Sequence, residues 1–422
     1  MRQRPLTFKT ASLGLAVLLA FVLAACQSDG DYVDLSQQSL SMTFLHTSDT
    51  HSKVLPFRYQ PSATDTGTLG IQSCTPTASD PKACDSFTYG GAARASWVIE
   101  RERGRAARSA YIDSGDFFQG APIFNLFRGE AEIRALSAMN VDIEVMGNHE
   151  FDNGASVLTN LLYNFASFQV LNANYMFKAP TEPGSTLLSE RVDPLTVRYY
   201  DGLKVGYIGL GNVVAMTSIG RADNKLGFRA IDSVESLNKY VPMLRDQVDL
   251  VIVVSHLGVA GDMEIAEQVP GIDIIFGGHD HVVIMPPAEV RNPDGRTTLV
   301  VHSGVNFKVV GRLDVVVRDK RVVSHGYQVF PIDSRKDSKG NPEIGENPKV
   351  ANVLYDYEFE LNRAQDLTRV IGKAKESIPR NTDDGGDSPL GNLVSDAMRL
   401  RDRVGASFAM TNSLGIRADF DA

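Results

Sequence analysis

Three things are scarce in this chain. Cysteine occurs only three times in 422 residues, at positions 26, 74 and 84. Cys74 and Cys84 have no histidine and no third cysteine near them, which argues against a thiolate metal site. A basic excess is also missing: Lys+Arg total 42 against Asp+Glu 51, a net charge of -9. Surfaces that bind nucleic-acid polymers need basic charge to displace counterions, so such a polymer is not expected as the main partner. Anionic small substrates stay open, because bound divalent ions reverse the local potential. Finally, the long apolar run at residues 11–25 (ASLGLAVLLAFVLAA) is too short, and too soon followed by polar residues, for a comfortable membrane-spanning helix.

That run is better read as part of an export signal. Arg2, Arg4 and Lys9 precede it, and Leu23-Ala24-Ala25-Cys26 follows, which resembles a bacterial lipoprotein box. Cys26 is then the lipidation site and the new N-terminus, anchoring an exported protein to the cell envelope. Gln27 after it resembles lipoproteins sorted to the outer membrane, facing the periplasm or the cell surface. An oxidising compartment makes a Cys74–Cys84 disulfide the expected state of the Thr/Pro/Ser/Asp-rich insert between them.

The rest is globular in composition, with 43% hydrophobic and 22% charged residues, and 422 residues exceed one ordinary core. β-branched runs recur at 42–49, 109–116, 141–150, 168–175, 204–212, 248–258, 272–281 and 297–304. Helical patterns lie between several of them, at 92–107, 130–139, 233–247 and 261–269. Strands alternating with helices predict an α/β layered architecture. The runs 308–319 and 321–330 predict a closing antiparallel hairpin across Lys320. The expected organisation is a signal peptide over 1–25, a polar tether over 26–40 and a catalytic domain over 41–332. A linker and helix over 333–367 follow, then the start of a second domain over 368–422, which is too short for a core of the usual size.

Potential metal ligands stand where the hydrophobic runs end. Asp49-Thr50-His51 follows the first, Gly115-Asp116 the second and Gly147-Asn148-His149-Glu150 the third. Ser255-His256 and Gly277-Gly278-His279-Asp280-His281 follow later ones. In open α/β sheets the carboxyl ends of strands line the ligand crevice, so these residues are expected to converge. Carboxylate, imidazole and amide oxygen together suit Zn²⁺, Mn²⁺ or similar ions. Residues two apart on an extended segment face the same way, so Asp49/His51 and His279/His281 each present a pair. Five of the eight histidines fall in these motifs. His46, His302 and His325 sit in strand-like runs and are read as core or surface residues, with His302 a faint supporting candidate. Asp113 and Asp280 are read as turn or supporting carboxylates.

The ordered set D-x-H, G-D, G-N-H-E, H, G-H-x-H resembles the calcineurin-like metallophosphoesterases. Phe151-Asp152, the D-S-P-L-G-N-L segment and Leu414-Gly415-Ile416-Arg417 narrow the resemblance to the bacterial 5′-nucleotidase family, from Met42 to the C-terminus. It implies a metallophosphoesterase β-sandwich flanked by helices, followed by an incomplete α/β 5′-nucleotidase C-terminal domain. It implies one divalent ion on Asp49, His51 and His281 and a second on Asn148, His256 and His279, with Asp116 bridging. A hydroxide shared by the ions would attack phosphorus in line. His149, oriented by Asp152, would face the phosphate and stabilise the transition state or protonate the leaving oxygen. Asn148, His149 and Arg417 would contact substrate, whereas Glu150 receives no catalytic role. Leu414 stands where the family usually has glycine, and the aromatic residues that sandwich the base in the family are not in this sequence.

The expected activity is therefore hydrolysis of phosphate monoesters, 5′-nucleotides first. A 2′,3′-cyclic-nucleotide phosphodiesterase or nucleotide-sugar pyrophosphatase is the alternative on the same centre, and a thiosulfohydrolase-like relative is more distant. A surface-anchored, non-catalytic binding lipoprotein is the alternative of another class. Its signature would be a lost ligand, and all seven positions are filled.

Overall fold

The segment Val248-Asp249-Leu250-Val251-Ile252-Val253-Val254-Ser255 offers no polar face, and such a strand must be covered on both sides. In the computed structural model it does lie inside a sheet, with every residue from Leu250 to Ser255 buried. The structure describes residues 39–74, 84, 86–214, 226–367, 369–382, 385–411, 415–416 and 420. The chain divides into a larger unit, Met1–Leu361, and a smaller one, Asn362–Ala422.

In the larger unit the strands run β1 (Leu40–Thr47), β2 (Ser109–Asp113), β3 (Ile143–Val145), β4 (Gln169–Leu171), β5 (Tyr175–Phe177), β6 (Val192–Asp193), β7 (Leu195–Tyr200) and β8 (Leu203–Leu210). They continue with β9 (Phe228–Ala230), β10 (Leu250–Ser255), β11 (Ile274–Gly277), β12 (Ala288–Arg291), β13 (Thr297–His302), β14 (Val309–Arg318) and β15 (Arg321–Pro331). One sheet has the order β15-β14-β1-β2-β3-β4-β6 and the other β12-β13-β11-β10-β8-β7, while β5 and β9 pair separately. Parallel pairing of β1 with β2, β2 with β3, and β3 with β4 brings strand ends to one edge. In the second sheet β10 is parallel to both β8 and β11.

Phe44, Ile112 and Ile143 from the first sheet and Tyr207, Ile252 and Phe276 from the second form one buried cluster between them. The Phe44 and Phe276 rings lie 5.5 Å apart. A fully buried side chain of this size contributes roughly 1.5–3 kcal/mol, so the inter-sheet layer is a principal source of stability. Helices cover the outer faces. Ala92–Arg103, Glu130–Ala138 and Ala155–Phe165 contribute Ile99, Leu136 and Leu158 to one outer cluster. Ser233–Arg245 and Val259–Gln268 contribute Leu237 and Ile265 to another. The architecture is thus a helix-flanked sandwich of two mostly parallel sheets.

Helix ends differ from the sequence patterns for local reasons. The pattern over 92–107 stops at Arg103 because Gly104 follows as its C-cap. The helix Pro348–Gln365, within the linker and helix expected over 333–367, starts at a proline whose missing N–H costs nothing there. The closing hairpin forms with Asp319 and Lys320 at its tip, both at positive φ, as a tight right-twisted hairpin needs. In the smaller unit, Ser388 caps the helix Pro389–Arg399 by accepting from the Gly391 N–H at 2.9 Å. Only Leu390 and Ile416 are buried among its described hydrophobic residues. No helix of the described residues is long and apolar enough to cross a membrane.

Candidate metal centre

Just past the ends of β1, β2 and β11, the backbone turns abruptly. Asp49, His51, Asp116, His279 and His281 all have φ between 46° and 81°. Such left-handed conformations cost L-residues energy and persist where surrounding packing enforces them. This corrects one expectation: the Asp49/His51 and His279/His281 pairs converge through tight turns, not through alternation along extended segments.

Two glycines permit the close approach of these loops. A Cβ on Gly147 would lie 2.3 Å from Asp116 Oδ1, and one on Gly278 would meet Ser114 O at 2.9 Å and Asp49 Oδ2 at 3.1 Å. Hydrogen bonds then fix the loops to one another. Asp49 accepts from the His279 N–H at 3.0 and 3.1 Å, joining the ends of β1 and β11 across the two sheets. Asp116 Oδ1 accepts from the His149 N–H at 2.8 Å.

Glu150 plays the largest part in this bracing, a role the sequence reading did not give it. Its buried carboxylate accepts N–H bonds from Asp116 (3.1 Å), Phe117 (2.8 Å), Phe118 (3.2 Å) and Gly147 (2.7 Å). Burial and the Asp116 charge push Glu150 up to about 8, while its backbone donors pull it down. The available signal was its position three residues after Gly147, from which a carboxylate can return to the backbone N–H.

The imidazoles are held in defined tautomers. His51 Nδ1 lies 3.0 Å from Gln119 O and 3.3 Å from Phe118 O. Carbonyls only accept, so Nδ1 carries the proton and Nε2 presents a lone pair. That Nε2 stands 2.9 Å from His281 Nε2, which is itself 3.6 Å from Asp49 Oδ1. His256 Nδ1 likewise donates to Ser114 O at 2.6 Å, and its Nε2 stands 3.0 Å from Asp116 Oδ2. His149 differs: its Nδ1 meets Asp152 Oδ2 at 2.8 Å.

Three groups of side chains bring ligand atoms close enough to share an ion: Asp49–His51–His281, His51–Asp116–His149 and Asp116–His256–His279. Asp116 belongs to two of them. The middle group contains His149, so proximity alone also admits His149 as a ligand.

The donor set fits cations. Asn148 Oδ1 is buried without a hydrogen-bond partner among the described residues, an acceptor aimed at nothing in the protein. Asp49 is pushed up to about 7 by burial, partly relieved by His256 and raised again by Asp116. His256 is held up at about 10: burial opposes its charge, but Asp116 and Asp49 outweigh that. The two carboxylates thus demand positive charge in their midst, and no Lys or Arg among the described residues pairs with either. Asp116 itself is held well below the usual carboxylate range, burial being overcome by His256 and the neighbouring imidazoles. His149 is raised: burial works against its charge, but the Asp152 bond and nearby carboxylates prevail.

Neighbouring residues have structural jobs. Asp113 is buried at the end of β2, accepting from Thr47 Oγ1 and from the Gly115 N–H at 3.1 Å. Asp280 accepts from the Val259 N–H at 2.7 Å, which caps the helix Val259–Gln268. His46 is buried between Ser114 and Ser303, His302 pairs with Asp262 at 2.8 Å, and His325 lies beside Glu289. Cys74 and Cys84 are joined in a disulfide with Cα atoms 5.6 Å apart. Cys26 and Arg417 lie outside the described residues.

Comparison with known proteins gives this arrangement its context. The family pattern for calcineurin-like phosphoesterase matches residues 42–283, and that for the 5′-nucleotidase C-terminal domain matches 370–422. Snake venom 5′-nucleotidase of Crotalus adamanteus is 29% identical over 381 residues, covering 85% of this chain and 58% of that protein. The trifunctional nucleotide phosphoesterase protein YfkN of Bacillus subtilis (strain 168) is 27% identical, covering 78% of this chain and 24% of its own length. The chain therefore spans less than two thirds of either. The crystal structure of a 5′-nucleotidase precursor from Thermus thermophilus superposes with a TM-score of 0.73 at 28% identity, covering 90% of this chain and 71% of that one.

Proposed function

The chain belongs to the calcineurin-like phosphoesterase family, whose members use two divalent ions, and on that premise we propose that it hydrolyses phosphate monoesters, 5′-nucleotides foremost, to an alcohol and inorganic phosphate. One observation carries this reading: carboxylates and imidazoles from both sheets converge into clusters, two of which share Asp116.

In this reading Asp49, His51 and His281 hold one ion, Asn148, His256 and His279 hold the other, and Asp116 serves both. Ions so held make water more acidic and neutralise charge on phosphoryl oxygens. Hydrolysis joins the oxygen of water to phosphorus and breaks the ester P–O bond, so the leaving oxygen needs a proton. In this reading His149 gives it from Nε2, which the Asp152 contact at Nδ1 supports. Arg417 is assigned to substrate through its planar fork of donors, which suits phosphate or carboxylate. The signal segment assigns the chain to the cell envelope, anchored through lipid on Cys26 and exported to the outer membrane.

Purified, Mn²⁺-loaded protein should release phosphate from AMP faster than it opens 2′,3′-cyclic AMP or cleaves a nucleotide sugar. A folded, metal-loaded sample that hydrolyses none of these, nor p-nitrophenyl phosphate, would defeat the proposal. Detergent phase partitioning tests the anchor: the product of the natural gene should enter the detergent phase, and the Cys26→Ser form should not.

A further inference from the structure

Four polar side chains link the two sheets: Tyr327 on β15, Ser303 just past β13, His46 on β1 and Ser114 just past β2. His46, Ser114 and Ser303 are buried, and Tyr327 is partly so. Their hydrogen bonds run in one direction. Ser114 Oγ lies 2.9 Å from Phe276 O on β11 and 2.8 Å from His46 Nε2. A carbonyl only accepts, so the serine proton goes to Phe276 O and His46 Nε2 carries the proton it donates. Burial, with His302 nearby, lowers the pKa of His46, so the ring is neutral and its Nδ1 is an acceptor. Ser303 Oγ donates to that Nδ1 at 2.6 Å and accepts from Tyr327 Oη at 3.0 Å. Tyr327 Oη also approaches His302 O at 3.4 Å, a longer contact. Gly311 on β14 makes room for the row, since a Cβ there would lie 2.4 Å from both Ser303 Oγ and Tyr327 Oη.

The row ends on the ligand set. Ser114 O accepts from His256 Nδ1 at 2.6 Å, which leaves His256 Nε2 turned to Asp116 Oδ2 at 3.0 Å. Ser114 is held through both bonds of its hydroxyl, and its own N–H donates to Thr47 O at 3.0 Å. A buried carbonyl fixed in this way allows the imidazole one orientation.

We propose that Tyr327, Ser303, His46 and Ser114 form a hydrogen-bond relay that positions His256 for metal binding through the Ser114 carbonyl. They are positioning residues, acting on an ion only through His256. The inference rests on the two-ion reading above and adds what holds one of its ligands in place.

His46→Leu removes the donor to Ser114, whereas His46→Gln keeps an amide N–H near the place of Nε2. In calorimetric titration of the full metal-free chain with Mn²⁺, His46→Leu should weaken at least about tenfold the binding step that His256→Ala abolishes. The other step should stay within about twofold. His46→Gln should restore the weakened step to within about threefold of the natural chain. Tyr327→Phe removes a single oxygen from the far end of the relay and should weaken the same step about threefold. Independently of the ions, NMR of the isotope-labelled metal-free chain follows the His256 Nδ1 proton. It should exchange with solvent at least about tenfold faster in His46→Leu than in the natural chain or in His46→Gln. Equal weakening of both steps, or a loss that His46→Gln fails to restore, would mark His46 as ordinary core packing and overturn the relay. Unchanged binding and exchange in both His46→Leu and Tyr327→Phe would overturn it as well. If the natural chain does not bind two ions, the two-ion reading fails, and the proton exchange alone decides the relay.

Discussion

Glu150 accepts the backbone N–H of Asp116 at 3.1 Å across 34 residues of sequence, and it also accepts from Gly147 at 2.7 Å. The loop that carries Asp116 and the loop that carries Asn148 are therefore fastened to one carboxylate. Glu150→Ala removes the acceptor of four buried N–H groups at once. It should lower stability by at least about 2 kcal/mol. Mn²⁺ affinity should fall roughly 10–100-fold, because the ligands lose their bracing. Calorimetry of unfolding and of Mn²⁺ binding checks both; a variant unchanged in both would show that the fastening is idle.

Asp116→Ala tests the shared ligand. Losing a carboxylate common to two clusters should weaken both ions and take hydrolysis below detection. The metal content of the dialysed protein should drop from two ions towards none. Retained turnover would refute the bridging assignment.

His149→Ala separates chemistry from metal binding. If the ring supplies a proton or stabilises charge, kcat should fall by roughly 10²–10⁴-fold with two ions still bound. Asp152→Asn should give a smaller loss, since the ring remains but its orientation and charge are less supported. Loss of an ion from His149→Ala would instead identify His149 as a ligand, as its place beside His51 and Asp116 allows.

Glu132, whose carboxyl meets Ser52 beside His51, gives a stability prediction. Burial raises its carboxyl from an ordinary 4.5 to about 7. Between those values the folded protein keeps a proton that the unfolded chain has lost, so stability falls as pH rises through this window. Glu132→Gln removes the ionisation, and it should be more stable than the natural protein at pH 8 by up to about 3 kcal/mol. At pH 4 the difference should vanish. Thermal unfolding at the two pH values is the check, and equal differences at both would mean that the carboxyl is not held protonated.

Much of the fold was legible because the central strands are apolar: runs such as 250–255 state their own burial. The ligand set was legible because each member closes such a run, where parallel strands share an edge. The local geometry was not. Nothing in Asp49-Thr50-His51 announces a positive φ, which lets the Asp49 and His51 N–H groups bond to Gly115 O and Asp116 O of the neighbouring loop. Asp280, flanked by His279 and His281, reads in sequence as a turn or supporting carboxylate, and it does cap a helix. Glu150 was passed over because a carboxylate that binds backbone looks, in sequence, like any other acid.

The contact between Asp49 and the His279 N–H joins strand ends belonging to different sheets. Asp116 comes from one sheet and His256 from the other, and they too meet. Each of the two ion sites assigned above therefore draws ligands from both sheets. Full loading of both assigned sites consequently needs the two layers docked, and each ion so held acts as a rivet between them. Stripping the ions should loosen the seam between the layers before it disturbs either sheet.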